Sequence, residues 1–295
     1  MDQAVGLRRK GNGELKQGGY VAKVGPALKK PVRVMAVSSG KGGVGKSNVV
    51  INLAVAFDRL GLKVLIMDAD LGLANIDVLL GLAPKYNLSH VLNGQKKIEE
   101  VLVKGPGLVK IMPASSGVQE LTKLTDEQKL LLLELLDGLE ADIDILLIDT
   151  SAGISDTVLY FNLAAHEKIV VVTPEPTSLT DAYALIKVLY TKYGERHFRI
   201  LVNASPSESA GKSIFSKISK VADHFLDGLS LDYIGTIPHD VAVTRAVLQQ
   251  KALLELFPQT PAAQAFMIVA QTIKRTQPTV NQGSIQFFWK RLLNV

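Results

Sequence analysis

The 295-residue chain contains no cysteine. That excludes disulfides, thiolate zinc sites and Cys-ligated iron–sulfur clusters. No apolar run approaches the roughly 18 residues needed to cross a bilayer, and the start "MDQAVGLRRK" lacks the apolar stretch of a secretory signal. A cytoplasmic protein is therefore expected. Basic charge is also missing from the body of the chain. The formal net charge is +5, but residues 1–33 hold eight Lys/Arg against two Asp/Glu, and residues 274–295 hold four basic residues and no acid. What lies between is net acidic, which argues against the basic face of a DNA-coating domain.

What is present suits one large α/β domain. Apolar residues make up 47% of the chain, enough for a sizeable core. Short β-branched runs recur: "VRVMAV", "KVLIMD", "LVKIMP", "IDILLID", "KIVVVT", "RILVN" and "LDYIGTI". Several are almost continuously apolar, as parallel strands buried on both faces are. Helical periodicity fills the gaps over Ser47–Leu60, Gln119–Leu136, Ser178–Tyr193 and Gly211–Leu226. The alternation predicts a doubly wound, mostly parallel sheet flanked by helices over residues 32–275. Residues 11–31, rich in Gly and Lys without a clear period, and residues 276–284 are expected to be linkers.

The stretch "SSGKGGVGKSN", Ser38–Asn48, fits the phosphate-binding pattern G-x-x-x-x-G-K-[ST]. It lies between a strand ending near Val37 and a helix starting near Lys46, the context that this motif requires. Gly40, Gly42, Gly43 and Gly45, with Val44 before the last, let the backbone close around phosphates and turn its N–H groups inward. Lys46 is expected to reach the terminal phosphates and the Ser47 hydroxyl to bind Mg²⁺, the nucleotide contacts running from Gly40 to Asn48. Lys41 has no part in that scheme.

With Lys41 included, "GKGGVGKS" resembles the deviant Walker A motif of the MinD/ParA family, P-loop ATPases of the SIMIBI class. The resemblance implies ATP and Mg²⁺ as cofactors, slow regulatory hydrolysis, and an ATP-dependent homodimer. Lys41 would cross the dimer interface to the partner's nucleotide, as an arginine finger does. In "LIMDADLGLANIDVLLG" the resemblance implies that Asp70 positions the attacking water and that Asp68 lies near the metal. In "ILLIDTSAGIS" it implies that Asp149 holds a magnesium-bound water and that Gly153 lets the backbone move with the γ-phosphate. The implied catalytic set is Lys41, Lys46, Asp70 and Asp149; the implied metal set is Ser47, Asp68 and Asp149. Asn203 ends the run "RILVN", where a carboxamide can meet adenine with one donor and one acceptor. The resemblance places adenine contacts there and in Pro238, His239 and Asp240. There is no N-K-x-D guanine reader, so ATP is expected over GTP.

The tails carry further signals. "SIQFFWKRLLNV" spaces Ile285, Phe288, Trp289, Leu292 and Leu293 along one helical face, with Lys290 and Arg291 towards the other. That pattern suits an interfacial membrane helix over residues 285–295, or a terminal helix docked on the protein's own core. Dimerisation would double such a helix and act as a membrane switch. At the other end "DQAVGLR", Asp2–Arg8, resembles the N-terminal signature of the FlhG-type branch of the family, ATPases that set flagellar number. "TPEPTSLTDAYALIK", Thr173–Lys187, is similar to the same branch. The resemblance implies that residues 1–10 act on the SRP-type GTPase FlhF through Asp2, Gln3, Ala4, Leu7 and Arg8, with Gln3 at its active site. It also implies flagellar C-ring proteins and a flagellar master transcription regulator as partners, reversible attachment to the inner face of the cell membrane at a pole, and no direct DNA binding. A MinD septum-site regulator and a ParA-type DNA-segregation ATPase remain as alternatives. A cluster carrier or nitrogenase-type reductase fails on the absent cysteines.

Overall fold

All seven apolar runs form strands. The computed structural model describes residues 32–70, 75–87, 90–91, 93–113 and 142–276. In chain order the elements are β1 (Arg33–Ser39), α1 (Lys46–Arg59), β2 (Val64–Ala69), α2 (Asn75–Leu80), α3 (Ile98–Val101), β3 (Val103–Lys104), β4 (Lys110–Met112), β5 (Ile145–Ala152), α4 (Asp156–Ala164), β6 (Glu167–Val172), α5 (Pro176–Tyr193), β7 (His197–Ser205), α6 (Glu208–Phe225), β8 (Ser230–Pro238), α7 (Val241–Leu248), α8 (Leu253–Leu256) and α9 (Pro261–Arg275). The strand order is β3-β4-β2-β5-β1-β6-β7-β8. Every pairing is parallel except β3 with β4, a two-residue edge too short to leave a periodic signal.

Because side chains alternate across a strand, each central strand feeds two cores. Met35, Val37, Ile66, Ile145 and Leu147 pack on one face with Val49, Leu53 and Phe57 of α1 and with Phe266 and Ile273 of α9. Val34, Ala36, Leu65, Leu146 and Ile148 pack on the other with Phe161 of α4. Further along that second face, Val170, Val172 and Ile200 meet Leu185 and Leu189 of α5. The same parity governs the polar ends of the strands. Asp68 follows Ile66 and Asp149 follows Leu147, so both carboxylates belong to the α1 face. The register sets them side by side, Asp68 against Asp149.

Helix ends follow local chemistry. Pro176 opens α5, where its missing N–H costs nothing, and Gly194 closes it in a left-handed conformation with φ 73°. α6 starts three residues before its predicted first residue because Ser207 caps it, accepting from Ala210 N at 3.1 Å. The predicted helix over Gln119–Leu136 lies outside the described residues, as do residues 1–31 and 277–295. No described helix is long and apolar enough to cross a membrane.

Candidate nucleotide site

In an open parallel sheet, ligands bind beyond the carboxyl ends of the strands, where strand order reverses. Here the chain leaves β1 for β2, then returns to insert β5 between them. The carboxyl ends of β1, β2 and β5 meet at that crevice, bearing the phosphate-loop motif, the Asp68–Asp70 pair and Asp149 respectively.

The loop's shape comes from its glycines. Gly43 and Gly45 have φ of +80° and +81°, a region that side chains avoid. Gly45 stands at the N-cap of α1 without a side-chain cap, and the first turn of α1 holds no acidic residue. Its orphan N–H groups and positive dipole end are therefore left for an anion. Lys46, the first helical residue, is only 7% exposed, and its Nζ lies 2.5 Å from Asp149 Oδ1. The two buried charges thus neutralise each other.

Asp149 is fully buried, and its Oδ2 has no hydrogen-bond partner. Burial pushes its carboxyl above the ordinary range, while the Lys46 ammonium and the Ser47 hydroxyl pull it back. An orphaned carboxylate oxygen beside a serine hydroxyl fits Mg²⁺, which takes oxygen ligands at octahedral positions. Among the described residues no three His, Cys, Asp or Glu could hold a metal by themselves. A cation here would take its remaining ligands from phosphates and water, the ordinary habit of Mg²⁺.

Asp68 accepts from the backbone N–H of Asp70 at 3.0 Å and of Ile76 at 3.4 Å, tying β2 to the start of α2. Its carboxyl is pushed up to about 7 by burial first and then by the Asp149 charge. The folded state therefore holds the Asp68 proton more tightly than the unfolded chain does. Stability falls as pH rises from the unfolded value near 3.8 through about 7. Asp68→Asn is expected to stabilise the nucleotide-free protein at pH 8, by at most on the order of 4 kcal/mol, and to lose that gain at pH 4. Denaturant unfolding at the two pH values checks this.

Asp70 and Asn75 line a cavity of about 900 Å³ together with the loop from Lys41 to Asn48. Asn75 Nδ2 donates to Asp70 Oδ2 at 3.2 Å, so a residue without a motif of its own orients the predicted water-positioning carboxylate. Val78, Leu79, Val243 and Val247 are also part of the lining.

A second cavity of about 720 Å³ opens on the other side of Gly43–Gly45, lined by Asn203, Ala204, Pro206 and His239. Asn203 Nδ2 donates to Val44 O at 2.8 Å, and a Cβ on Gly45 would meet it at 2.6 Å. The amide nitrogen thus clasps the loop. Ala204 beside it is left-handed, with φ 52°, a strain that β7 carries at this cavity. Of the three residues expected at the base in the following turn, only His239 lines the cavity. Pro238 ends β8 in register with Ser205. Asp240 lies outside that lining: its carboxylate accepts from Ala242 N at 2.9 Å and Ala262 N at 3.3 Å, capping α7 and holding the start of α9.

Lys41 stands apart from the Lys46–Asp149 pair. Its Nζ lies 2.6 Å from Glu175 Oε2 and 3.1 Å from Thr177 Oγ1, at the start of α5. No motif marks Glu175 or Thr177 as partners of the loop; they adjoin it because Gly40 packs against the α5 backbone. A Cβ on Gly40 would meet the carbonyl carbon of Asp181 at 2.1 Å.

Comparison with known proteins agrees with this geometry. The family model described as "ParA: NUBPL iron-transfer P-loop NTPase" matches residues 30–274. The chain is 47% identical over 264 residues to the antiactivator FleN of Pseudomonas aeruginosa, covering 89% of this chain and 94% of that protein. It is 33% identical over 266 residues to the flagellum site-determining protein YlxH of Helicobacter pylori, covering 88% and 90%. Among solved structures, MinD in the MinC:MinD cell division complex of Aquifex aeolicus superposes with a TM-score of 0.67 at 26% identity, covering 86% of this chain and 100% of that one. MinD of Pyrococcus horikoshii complexed with Mg-ADP gives a TM-score of 0.64 at 26% identity, covering 83% and 96%. A lysine-bearing glycine loop, its buried carboxylate and a match along most of the chain thus lead to one conclusion: the protein belongs to the ParA/MinD family of P-loop ATPases.

Proposed function

We propose that this ATPase is a nucleotide-driven timer that controls flagellar number and placement. ATP loading forms a dimer and exposes paired membrane helices; hydrolysis reverses both. The observation that carries the reading is Lys41, whose charge lies outside the chain's own Lys46–Asp149 centre. A second subunit's nucleotide is the phosphate such a lysine would serve, and two symmetric subunits would complete each other.

Within each subunit, backbone N–H groups at the start of α1 and the Lys46 ammonium would bind the β- and γ-phosphates. Mg²⁺, held by Ser47 and through water by Asp149, would neutralise charge on the transferring phosphoryl group. ATP would displace the Asp149 carboxylate from Lys46, freeing both groups for those tasks. Asp70, steadied by Asn75, would orient the attacking water. The Asn203 oxygen would accept from the adenine amino group.

The flagellar assignment is supported by the relatives described as an antiactivator and as flagellum site-determining, and by the signature at Asp2–Arg8. In this reading Gln3 acts on the hydrolytic step of FlhF, while Ala4, Val5 and Leu7 anchor the segment. C-ring proteins and a flagellar transcription regulator would be further partners. The acidic body disfavours a DNA-segregation ATPase, and the absent cysteines disfavour iron transfer. A septum-site regulator would lack the activator segment.

One set of measurements tests the assignment. With ATP, the protein should pellet with phosphatidylglycerol-containing liposomes, and with ADP it should not. Removing residues 284–295 should abolish pelleting while ATP-driven dimerisation persists. A peptide of residues 1–20 should raise GTP turnover by FlhF, and Gln3→Ala should lower that stimulation more than it lowers binding. Pelleting with DNA instead of liposomes, or no stimulation of FlhF by either peptide, would replace this reading with the segregation or septum alternative.

A further inference from the structure

We infer that Glu175, assisted by Thr177, is a positioning residue for Lys41: it holds the lysine in cis and so competes with dimer formation. The inference rests on the reading that Lys41 acts across a dimer.

Three observations carry it. First, the contact is direct. Lys41 Nζ donates to Glu175 Oε2 at 2.6 Å and to Thr177 Oγ1 at 3.1 Å. Second, proximity is built into the backbone. Gly40 abuts Asp181–Ala182 of α5 so closely that no side chain fits between them, and the next residue must therefore emerge beside the start of that helix. The Ser39 hydroxyl donates to Lys41 O at 2.9 Å and fixes that turn further. Third, the location is electrostatically wrong for a cation unless Glu175 is present. Thr177 lies in the first turn of α5, at the positive end of the helix dipole, and that turn contains no acidic residue. Glu175, the N-cap residue, supplies the opposing charge. Its side chain makes no capping hydrogen bond, so the carboxylate is not committed to the helix.

Without Glu175, the dipole would repel the Lys41 ammonium and Thr177 alone would offer one neutral hydrogen bond. Lys41 would then be free to swing outward towards a partner's phosphates. The pair is partly exposed, 38% at Lys41 and 63% at Glu175, so each contact biases its lysine by about five-fold at most. Two lysines must be released per dimer. Their combined bias on the monomer–dimer equilibrium is therefore up to about 25-fold. That suits a threshold that nucleotide binding overcomes, not a permanent lock.

The test is sedimentation velocity of the full chain with saturating Mg²⁺ and a non-hydrolysable ATP analogue, comparing wild type, Glu175→Gln and Thr177→Val across a protein dilution series. Glu175→Gln should dimerise at up to about 25-fold lower protein concentration than wild type. Thr177→Val should shift the same way by less. Raising the ionic strength should narrow the gap between wild type and Glu175→Gln, because screening already weakens the cis pair; a merely structural role would give no such convergence. Lys41→Ala combined with Glu175→Gln should stay monomeric. Glu175→Gln dimerising as wild type does, or less readily, overturns the inference and leaves the dimer reading standing. A wild-type protein that stays monomeric with the analogue overturns both.

Discussion

Lys46→Met is expected to lower the unfolding free energy by about 3–5 kcal/mol at neutral pH, because it strips the ion-pair partner from a fully buried Asp149. Nucleotide affinity should fall roughly 10- to 150-fold from loss of a charged hydrogen-bond donor to phosphate. The pH dependence separates charge from packing. Without the ammonium, burial is opposed chiefly by the Ser47 hydroxyl, and the Asp149 carboxyl rises further. The deficit is then largest above that raised value and shrinks as pH falls through it and the group becomes neutral. Combining Lys46→Met with Asp149→Asn should recover much of the loss at pH 8, since neither buried charge remains. Denaturant unfolding of the single and double variants at pH 5 and pH 8 checks this. A deficit that is equal at both pH values would assign the effect to a packing defect.

Lys41→Ala and Asp70→Ala should part in opposite directions. Lys41→Ala removes the cross-subunit charge and should leave a monomer even at saturating ATP·Mg²⁺. The side chain is partly exposed and, among the described residues, hydrogen-bonds Glu175 and Thr177 at the start of α5, so folding stability should hardly change. Asp70→Ala should bind ATP and dimerise, yet hydrolyse about 10²- to 10⁴-fold more slowly, the range expected for losing a group that prepares the attacking water. Asn75→Leu should follow Asp70→Ala more weakly, since it frees the carboxylate without deleting it. Light scattering together with phosphate release measures both quantities on one sample. A Lys41→Ala protein that dimerises normally would place that lysine outside the assembly step.

Much of the site is a short-range property. Strand, glycine turn and helix N-terminus lie within Ser38–Asn48, and the turn requires left-handed φ that only the glycine spacing permits. The loop's chemistry was accordingly readable from eleven letters. The carboxylates were readable as strand ends, because apolar runs stop where the sheet meets solvent. The longer helices were readable wherever one apolar face repeats. α9 obeys the same rule, with Ala262, Phe266, Val269, Ala270 and Ile273 buried along one face.

The sequence by itself determined the fold class, the phosphate loop and the identity of the charged groups, since these depend on residue type and local spacing. Only the tertiary structure decided which groups meet. Strand register set Asp68 beside Asp149, and strand parity turned both towards α1, so that Lys46 pairs with Asp149. The return of α9 to the sheet placed Ala262 N within reach of the Asp240 carboxylate that caps α7. The close approach of α5 to Gly40 gave Lys41 a partner 134 residues away in the chain. Such contacts arise where separate elements converge on one edge of the sheet, and no local pattern encodes that convergence.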